Sequence, residues 1–388
     1  DPSLPQAKDW NAVFAEVDAD SNTGTSNAGH SIMERVSQRL IDGEKLTRRD
    51  LAAMQEEFGL SEKEVDEWAE AGIVKAGRQI VAMGKINGLP EVEIYGKLLE
   101  LQANQPNLSA KTSESKIQQA YSTPIPFAYV ASRMAQISTK TVVFEPSAGH
   151  GALLLETTPN KAYANELNAG RTERLEASGV SKHVTSKDAT ARVTPPGSMD
   201  AVIGNPPFGT IKQADGTNVT WVMPRGGGET TNIDYQIVME SLEAMKDDGR
   251  AVFLIGGLNK MSDNNPAERE KAYGTGQKKA FLDALYANYG VVDYFTVSGD
   301  LYKKQGAGWP IDVIVVSGRG KSKTELPYAK NPRILKTWDD LSNELGKTDE
   351  QRIASRKITT EEIESLVSGG VAGIEGAVTG GNGFGVRD

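Results

Sequence analysis

The chain of 388 residues has no cysteine, which excludes disulfides, thiolate nucleophiles and cysteine-bound zinc. Its three histidines, His30, His150 and His183, are too scattered to suggest a metal site, and no metal is expected. No apolar run approaches the roughly 20 residues of a membrane helix, so no membrane partner is expected. The first residue is Asp, and Asp1-Pro-Ser-Leu-Pro5 lacks the charged and apolar segments of a signal peptide. The chain therefore reads as a processed or excised piece, with other domains of a larger parent protein as expected partners. Lack of cysteine fits a reducing cytoplasm.

Net positive charge is also missing: the formal charge is −9. Its distribution says more than its total. Residues 1–100 hold 19 acids and 11 bases, whereas residues 301–337 hold eight bases against two acids. The acidic excess belongs to the N-terminal part, and a basic stretch follows the expected catalytic core.

Residues 1–30 end in a polar, glycine-containing run and read as a mobile leader. A helical module is expected over 31–113: Ile32, Val36 and Leu40 recur at helical spacing, and Ser61-Glu-Lys-Glu64 is a capping box. A further helix is expected from Glu91 to Ala103. With no convergent chemistry in it, the module reads as a packing or docking element. From 114 to 325 short β-rich runs alternate with helical stretches: 141–145, 161–165, 183–186, 200–204, 250–255, 291–297 and 312–317. That alternation predicts an α/β fold with a mostly parallel seven-stranded sheet, its last two strands forming an antiparallel edge hairpin. A helical extension, 326–367, with a cap at Thr359-Thr-Glu-Glu362, and a glycine-rich tail, 368–388, complete the chain.

Three sets of residues carry chemistry. Phe144-Glu-Pro-Ser-Ala-Gly-His-Gly-Ala-Leu-Leu154 reads as a strand, a glycine turn and a helix start, in which Gly149 and Gly151 let backbone amides approach a ligand. Such a turn also serves as a tight connection or a dinucleotide site, although Leu154 stands where a third glycine of the dinucleotide pattern belongs. Glu166 follows the second strand, placed to hold two ribose hydroxyls, and Asp188 follows the third, placed to accept from an adenine amine. Either acid alone reads as a solvated loop residue; their joint spacing after the turn favours a nucleoside site. Asn205-Pro-Pro-Phe208 then ends an apolar strand. The Asn205 side-chain oxygen and the Pro206 carbonyl can accept both hydrogens of an exocyclic amine, with Pro206 and Pro207 stiffening the backbone and Phe208 stacking on a flipped base. The structural alternative is a proline turn with Phe208 in the core.

Tyr121-Ser-Thr-Pro124, Glu145-Pro-Ser-Ala-Gly-His-Gly151 and Asn205-Pro-Pro-Phe208, in that order, resemble the motifs of S-adenosylmethionine-dependent N6-adenine DNA methyltransferases of the gamma arrangement. The resemblance covers roughly residues 116–320 and implies a Rossmann-like class I methyltransferase fold. It implies that Thr123 and Pro124 flank S-adenosyl-L-methionine, that Glu145, Pro146, Gly149 and Gly151 surround its methionine end, and that Glu166 and Asp188 hold ribose and adenine. S-adenosylhomocysteine would be the product, and Asn205, Pro206, Pro207 and Phe208 would form the catalytic pocket. His150 replaces the small polar residue often found in that turn. The acidic helical part leading into Gln118-Gln-Ala-Tyr-Ser-Thr-Pro124 is similar to the methylase portion of large methylase-helicase proteins of phages and mobile elements, some of them antirestriction factors. That likeness implies a bacterial cytoplasm or a phage virion as location.

DNA is the expected macromolecular partner. Lys212, Trp221 and Arg225 lie in a long polar loop after the pocket, and Lys303, Lys304 and Trp309 lie between the final strands. Lysine can contact phosphate and tryptophan can support a displaced base; the alternatives are a surface insertion with an anchored Trp and an exposed hairpin. No substantial recognition domain follows the core, so low sequence specificity is expected. The expected activity is methyl transfer to adenine N6 in DNA, protecting mobile-element DNA from restriction. Alternatives are an amine methyltransferase for ribosomal RNA guanine or protein glutamine, and a catalytically silent docking module.

Overall fold

The computed structural model describes residues 27–108, 122–258, 265–305 and 308–357, with side chains for all of these except 303–305. The leader up to residue 26, Tyr121, the cap at Thr359–Glu362, the glycine-rich tail and the side chains of Lys303 and Lys304 lie outside the described residues.

Four helices come first: α1 (Asn27–Ile41), α2 (Arg48–Phe58), α3 (Glu62–Ile86) and α4 (Glu91–Asn104). α1 begins inside the stretch expected as a leader, because Ile32, Met33 and Val36 bury one face. The capping box forms as expected: Ser61 Oγ accepts from the Glu64 amide at 3.3 Å, and Glu64 Oε2 from the Ser61 amide at 2.9 Å. α1 and α3 pack closely because Gly72 has no side chain; a Cβ there would meet the Met33 carbonyl oxygen at 2.6 Å.

After α5 (Ile125–Met134) the chain alternates β1 (Val143–Glu145), β2 (Ala162–Asn165), α6 (Ala169–Ala177), β3 (His183–Thr185) and β4 (Met199–Gly204). A hairpin, β5 (Trp221–Met223) and β6 (Gly228–Thr230), precedes α7 (Ile233–Leu242) and β7 (Met245–Gly256). Then come α8 (Pro266–Tyr273), α9 (Gly276–Asn288), β8 (Tyr289–Val297), β9 (Ile311–Arg319), β10 (Ile334–Leu335), α10 (Trp338–Ser342) and α11 (Asp349–Arg356).

The main sheet has the order β10-β8-β9-β7-β4-β1-β2-β3. Every pairing is parallel except those of β9, which runs against β7 and β8. This is the class I methyltransferase architecture expected from the motifs: a mostly parallel sheet with an antiparallel pair toward one edge. All seven anticipated strands form. β10 adds an eighth beside β8, too short to leave a periodic signature, and β5–β6 structures part of what reads as a polar loop.

Side chains alternate across the sheet as strand geometry requires. Ala201, Ile203, Val252, Leu254, Val313 and Val315 face a core shared with helices α1 to α5. Val202, Phe253, Ile255, Ile314 and Val316 face a second core under α7, α8 and α9. One continuous apolar cluster therefore joins the N-terminal helices to the sheet. Interior β9 also carries a fully buried acid, Asp312, which accepts from Tyr294 Oη (2.8 Å), Thr296 Oγ1 (2.8 Å) and Lys278 Nζ (2.9 Å). A buried carboxylate is tolerable when satisfied in this way.

One local expectation is corrected. The glycine turn after β1 leads not into an α-helix but into a single 3₁₀ turn, Ala152–Leu154. Pro159 lies just beyond, and Thr158 before it is extended (φ −80°, ψ 135°), as a residue preceding proline prefers. So short a turn offers no helix terminus for a carboxylate.

Candidate functional site

Strand order reverses at β1, whose neighbours are β2 on one side and β4 on the other. Ligands of open α/β sheets bind beyond the strand ends at such a switch point. A cavity of about 770 Å³ lies there. Thr123, Glu145, Pro146, Gly149, Glu166, Asp188, Asn205, Pro207 and Phe208 all line it, although they come from five separate stretches of chain.

On the β1–β2 side, Glu145 is only 2% exposed, and its Oε2 has no hydrogen-bond partner. Burial, reinforced by the nearby Glu166 charge, pushes its carboxyl well above the usual range. Glu166 is held firmly: Oε2 accepts from the Gly149 amide and Oε1 from the Asn168 amide, both at 2.9 Å, with Arg171 Nε at 3.4 Å. The Gly149 amide, expected to face a ligand, is thus used to orient Glu166, and its φ of +55° is what lets it point there. Gly151 stands behind the turn, away from the cavity; a Cβ there would meet Val180 at 2.8 Å. Its requirement is packing rather than ligand approach. Asp188 is exposed at the rim, where Oδ1 accepts from the Thr190 amide (2.9 Å) and hydroxyl (2.7 Å).

On the β4 side, Asn205 Nδ2 donates to Thr123 Oγ1 at 3.0 Å, which orients the amide with Oδ1 on the opposite side. Pro124 caps the start of α5 and, like Pro206, is buried behind the cavity wall. Phe208 is half-buried and lies against Gly256 at the end of β7, where any Cβ would come within 3.2 Å of it. Gly204 similarly lets Pro146 of the glycine turn sit against β4, at 3.2 Å from a Cβ position. The two motifs are therefore in direct contact across adjacent strands.

The expected nucleic-acid residues separate. Lys212 lines the cavity mouth and is exposed. Trp309 lies at the same end of the sheet, 49% exposed, its indole N–H donating to the Gly257 carbonyl at 3.1 Å. Trp221 is a correction: it packs behind the cavity against Ile233, Ile237 and Ala189. Arg225 is another. Its guanidinium forms a paired contact with Glu243 at 2.7 and 3.1 Å, just before the start of β7, at the opposite rim from the cavity. The basic stretch does not form one patch either. Arg319 is used on the carbonyls of Leu242, Glu243 and Met245, and Arg333 pairs with buried Asp293 and Glu344.

Sequence reasoning expected a helix after the Ser61 capping box but not its place on the cavity. Lys63, Asp66, Glu67, Glu70, Ile73 and Val74 form one wall of the cavity. Their spacing repeats every three or four residues, the signal of a single helix face, but nothing in it names the surface it covers. Arg78, one turn further, donates to the carbonyls of Leu154 (2.9 Å) and Thr157 (3.3 Å), tying α3 to the 3₁₀ turn.

No protein-family model matches the chain, and no curated protein sequence does. Among solved structures it is similar to a protein provisionally named as a modification subunit of a type I restriction enzyme from Vibrio vulnificus (10% identity, 72% of this chain and 58% of that one, TM-score 0.41). It is also similar to the type I restriction-modification methyltransferase subunit of Streptococcus thermophilus (12% identity, 94% and 78% covered, TM-score 0.44). A third is a provisionally assigned class I S-adenosylmethionine-dependent methyltransferase from Listeria monocytogenes (12%, 80% and 99%, TM-score 0.46). The chain thus spans little more than half the length of the Vibrio protein. The strand order, rather than these likenesses, defines the fold.

Proposed function

We propose that the chain is an S-adenosylmethionine-dependent methyltransferase acting on the N6 amine of an adenine flipped out of DNA, with little sequence selectivity, and that it protects mobile-element DNA from restriction. The observation that carries this reading is the meeting of Asn205 and Phe208 with Glu145, Glu166 and Asp188 in one cavity at the switch point. The residues fit the cofactor. Glu145 Oε2, buried and without a hydrogen-bond partner, suits the donors of an amino-acid end, and the fixed Glu166 carboxylate suits a ribose diol. Asp188 at the rim suits an adenine amine.

When bound, S-adenosylmethionine supplies an electrophilic methyl group on a positively charged sulfur. Everything else falls to this chain. Asn205 Oδ1 and the Pro206 carbonyl accept the two amine hydrogens of the target, which turns the nitrogen lone pair toward the methyl carbon. Thr123 keeps the Asn205 amide in that orientation. Phe208 holds the plane of the base by stacking. As the carbon–nitrogen bond forms, the amine becomes acidic, and its proton leaves through Asn205 to solvent without a strong base. Lys212 at the mouth, with Lys303 and Lys304, contacts phosphate, and Trp309 supports the displaced strand.

Transfer of tritiated methyl to DNA, RNA and protein tests the reading. Label in DNA, lowered by about 10²–10³ in Asn205→Ala while cofactor binding persists, is the expected result. Label in RNA or protein alone would overturn the substrate, and methylation confined to one long motif would overturn the low selectivity.

A further inference from the structure

Helix α3 brings more than apolar surface to the cavity. Asp66, Glu67 and Glu70 line it together with Glu145 and the glycine turn. Between them lies His150, 4% exposed and itself part of the cavity lining. Its Nε2 is 3.3 Å from Glu67 Oε2 and its Nδ1 3.5 Å from Glu70 Oε2, yet neither nitrogen makes an aligned hydrogen bond. Glu145 Oε2 is likewise buried without a partner. Two buried polar groups on the lining of one cavity thus lack a well-aligned hydrogen bond, which native interiors rarely leave so.

The charges around them define what fits. Asp66 is paired with Arg48 on its outer side, and Arg171 and Arg174 of α6 act on Glu67 from the ribose side. That leaves Glu67 and Glu70 sharing a single imidazole, with Glu145 on the wall of the same cavity. An anion is repelled there, whereas a primary ammonium brings positive charge and three donors to carboxylate acceptors.

We propose that Glu67 and Glu70 of α3, gathered by His150, form with Glu145 the seat for the ammonium group at the amino-acid end of the cofactor, with its carboxylate turned away from them. The helical layer is then part of the binding site and not a neighbouring support. This rests on the S-adenosylmethionine reading above.

The test is binding to the full chain, by calorimetry, of S-adenosylmethionine, of S-adenosylhomocysteine, whose uncharged sulfur keeps the amino-acid end and which is expected to follow it, and of 5′-methylthioadenosine, a thioether that keeps the adenosine but lacks the amino-acid end. Glu67→Gln/Glu70→Gln is expected to weaken S-adenosylmethionine about tenfold, the worth of one charge-assisted contact, and to leave methylthioadenosine unchanged. Glu70→Gln alone gives the same split at smaller size, and decides the matter if the double variant does not fold. Unchanged affinity for S-adenosylmethionine overturns the proposal, as does equal loss of every ligand, which marks general damage to the cavity. Wild-type protein that binds none of these ligands overturns the cofactor reading itself, a result distinct from either.

Discussion

Asn205 serves an amine only when its oxygen, not its nitrogen, meets the substrate, and Thr123 makes that choice. The 3.0 Å bond from Nδ2 to Thr123 Oγ1 places Oδ1 on the other side of the amide. Thr123→Val keeps the volume and deletes the acceptor. It is expected to lower kcat for methyl transfer about tenfold, a larger factor than any loss of cofactor affinity at this cavity-lining position, and steady-state kinetics with calorimetry read the two together. Asp234, under the same floor, gives a pH signature. Burial pushes its carboxyl up to about 6 from 3.8, against the opposing pull of Lys278 and the Gly256 amide. Between those values the folded chain keeps a proton that the unfolded chain has released. Stability attached to Asp234 is thus full below about pH 4 and is lost as pH rises through 6. Asp234→Asn, which mimics the protonated state, is expected to raise Tm at pH 8 and to change it little near pH 4; calorimetric scans at both values check this. Residues at strand ends, such as Glu166 and Asn205, are legible in sequence because position along a strand sets where they emerge. Arg225 is not, because its fate depends on Glu243, which only the fold brings beside it.

At the scale of elements, the glycine turn is held from outside by α3. Arg78 bonds two carbonyls of a turn too short to satisfy its own backbone. Arg78→Leu removes the Arg78 donor from both; Leu154 keeps the amide and hydroxyl of Thr157 while the Thr157 carbonyl loses its contact, at a cost of roughly 1 kcal/mol, and a lowered urea midpoint with unchanged m-value is the expected measurement. The seven long runs were readable because apolar alternation and length agree. β10 was not, since two residues carry no period, and the β5–β6 hairpin was hidden by the glycines that build its turn. The periodicity of α3 revealed a buried face without revealing that part of it faces a cavity.

At the scale of the molecule, the helices from 27 to 104 and the sheet share a single apolar cluster. A chain trimmed to start at residue 122 would expose Ile125, Leu154 and Leu155 to water. It is expected to aggregate or to lose its cooperative thermal transition, and circular dichroism of the trimmed chain against the full one decides it. Charge follows the same lesson. Whole-chain acidity and a linear run of bases say little about which surface is basic, because Arg319 and Arg333 are spent on internal contacts.

Among the described residues β9 is the last long strand in chain order, yet it lies between β7 and β8. The Pro310 carbonyl that accepts from Gly257, and the Asp312 carboxylate that engages Lys278, arrive with it. On the ribosome, chain already made through β8 must wait with a gap at the centre of its sheet. A chain cut between residues 208 and 311 therefore carries every sequence motif of the cavity but lacks the strand that joins β7 to β8.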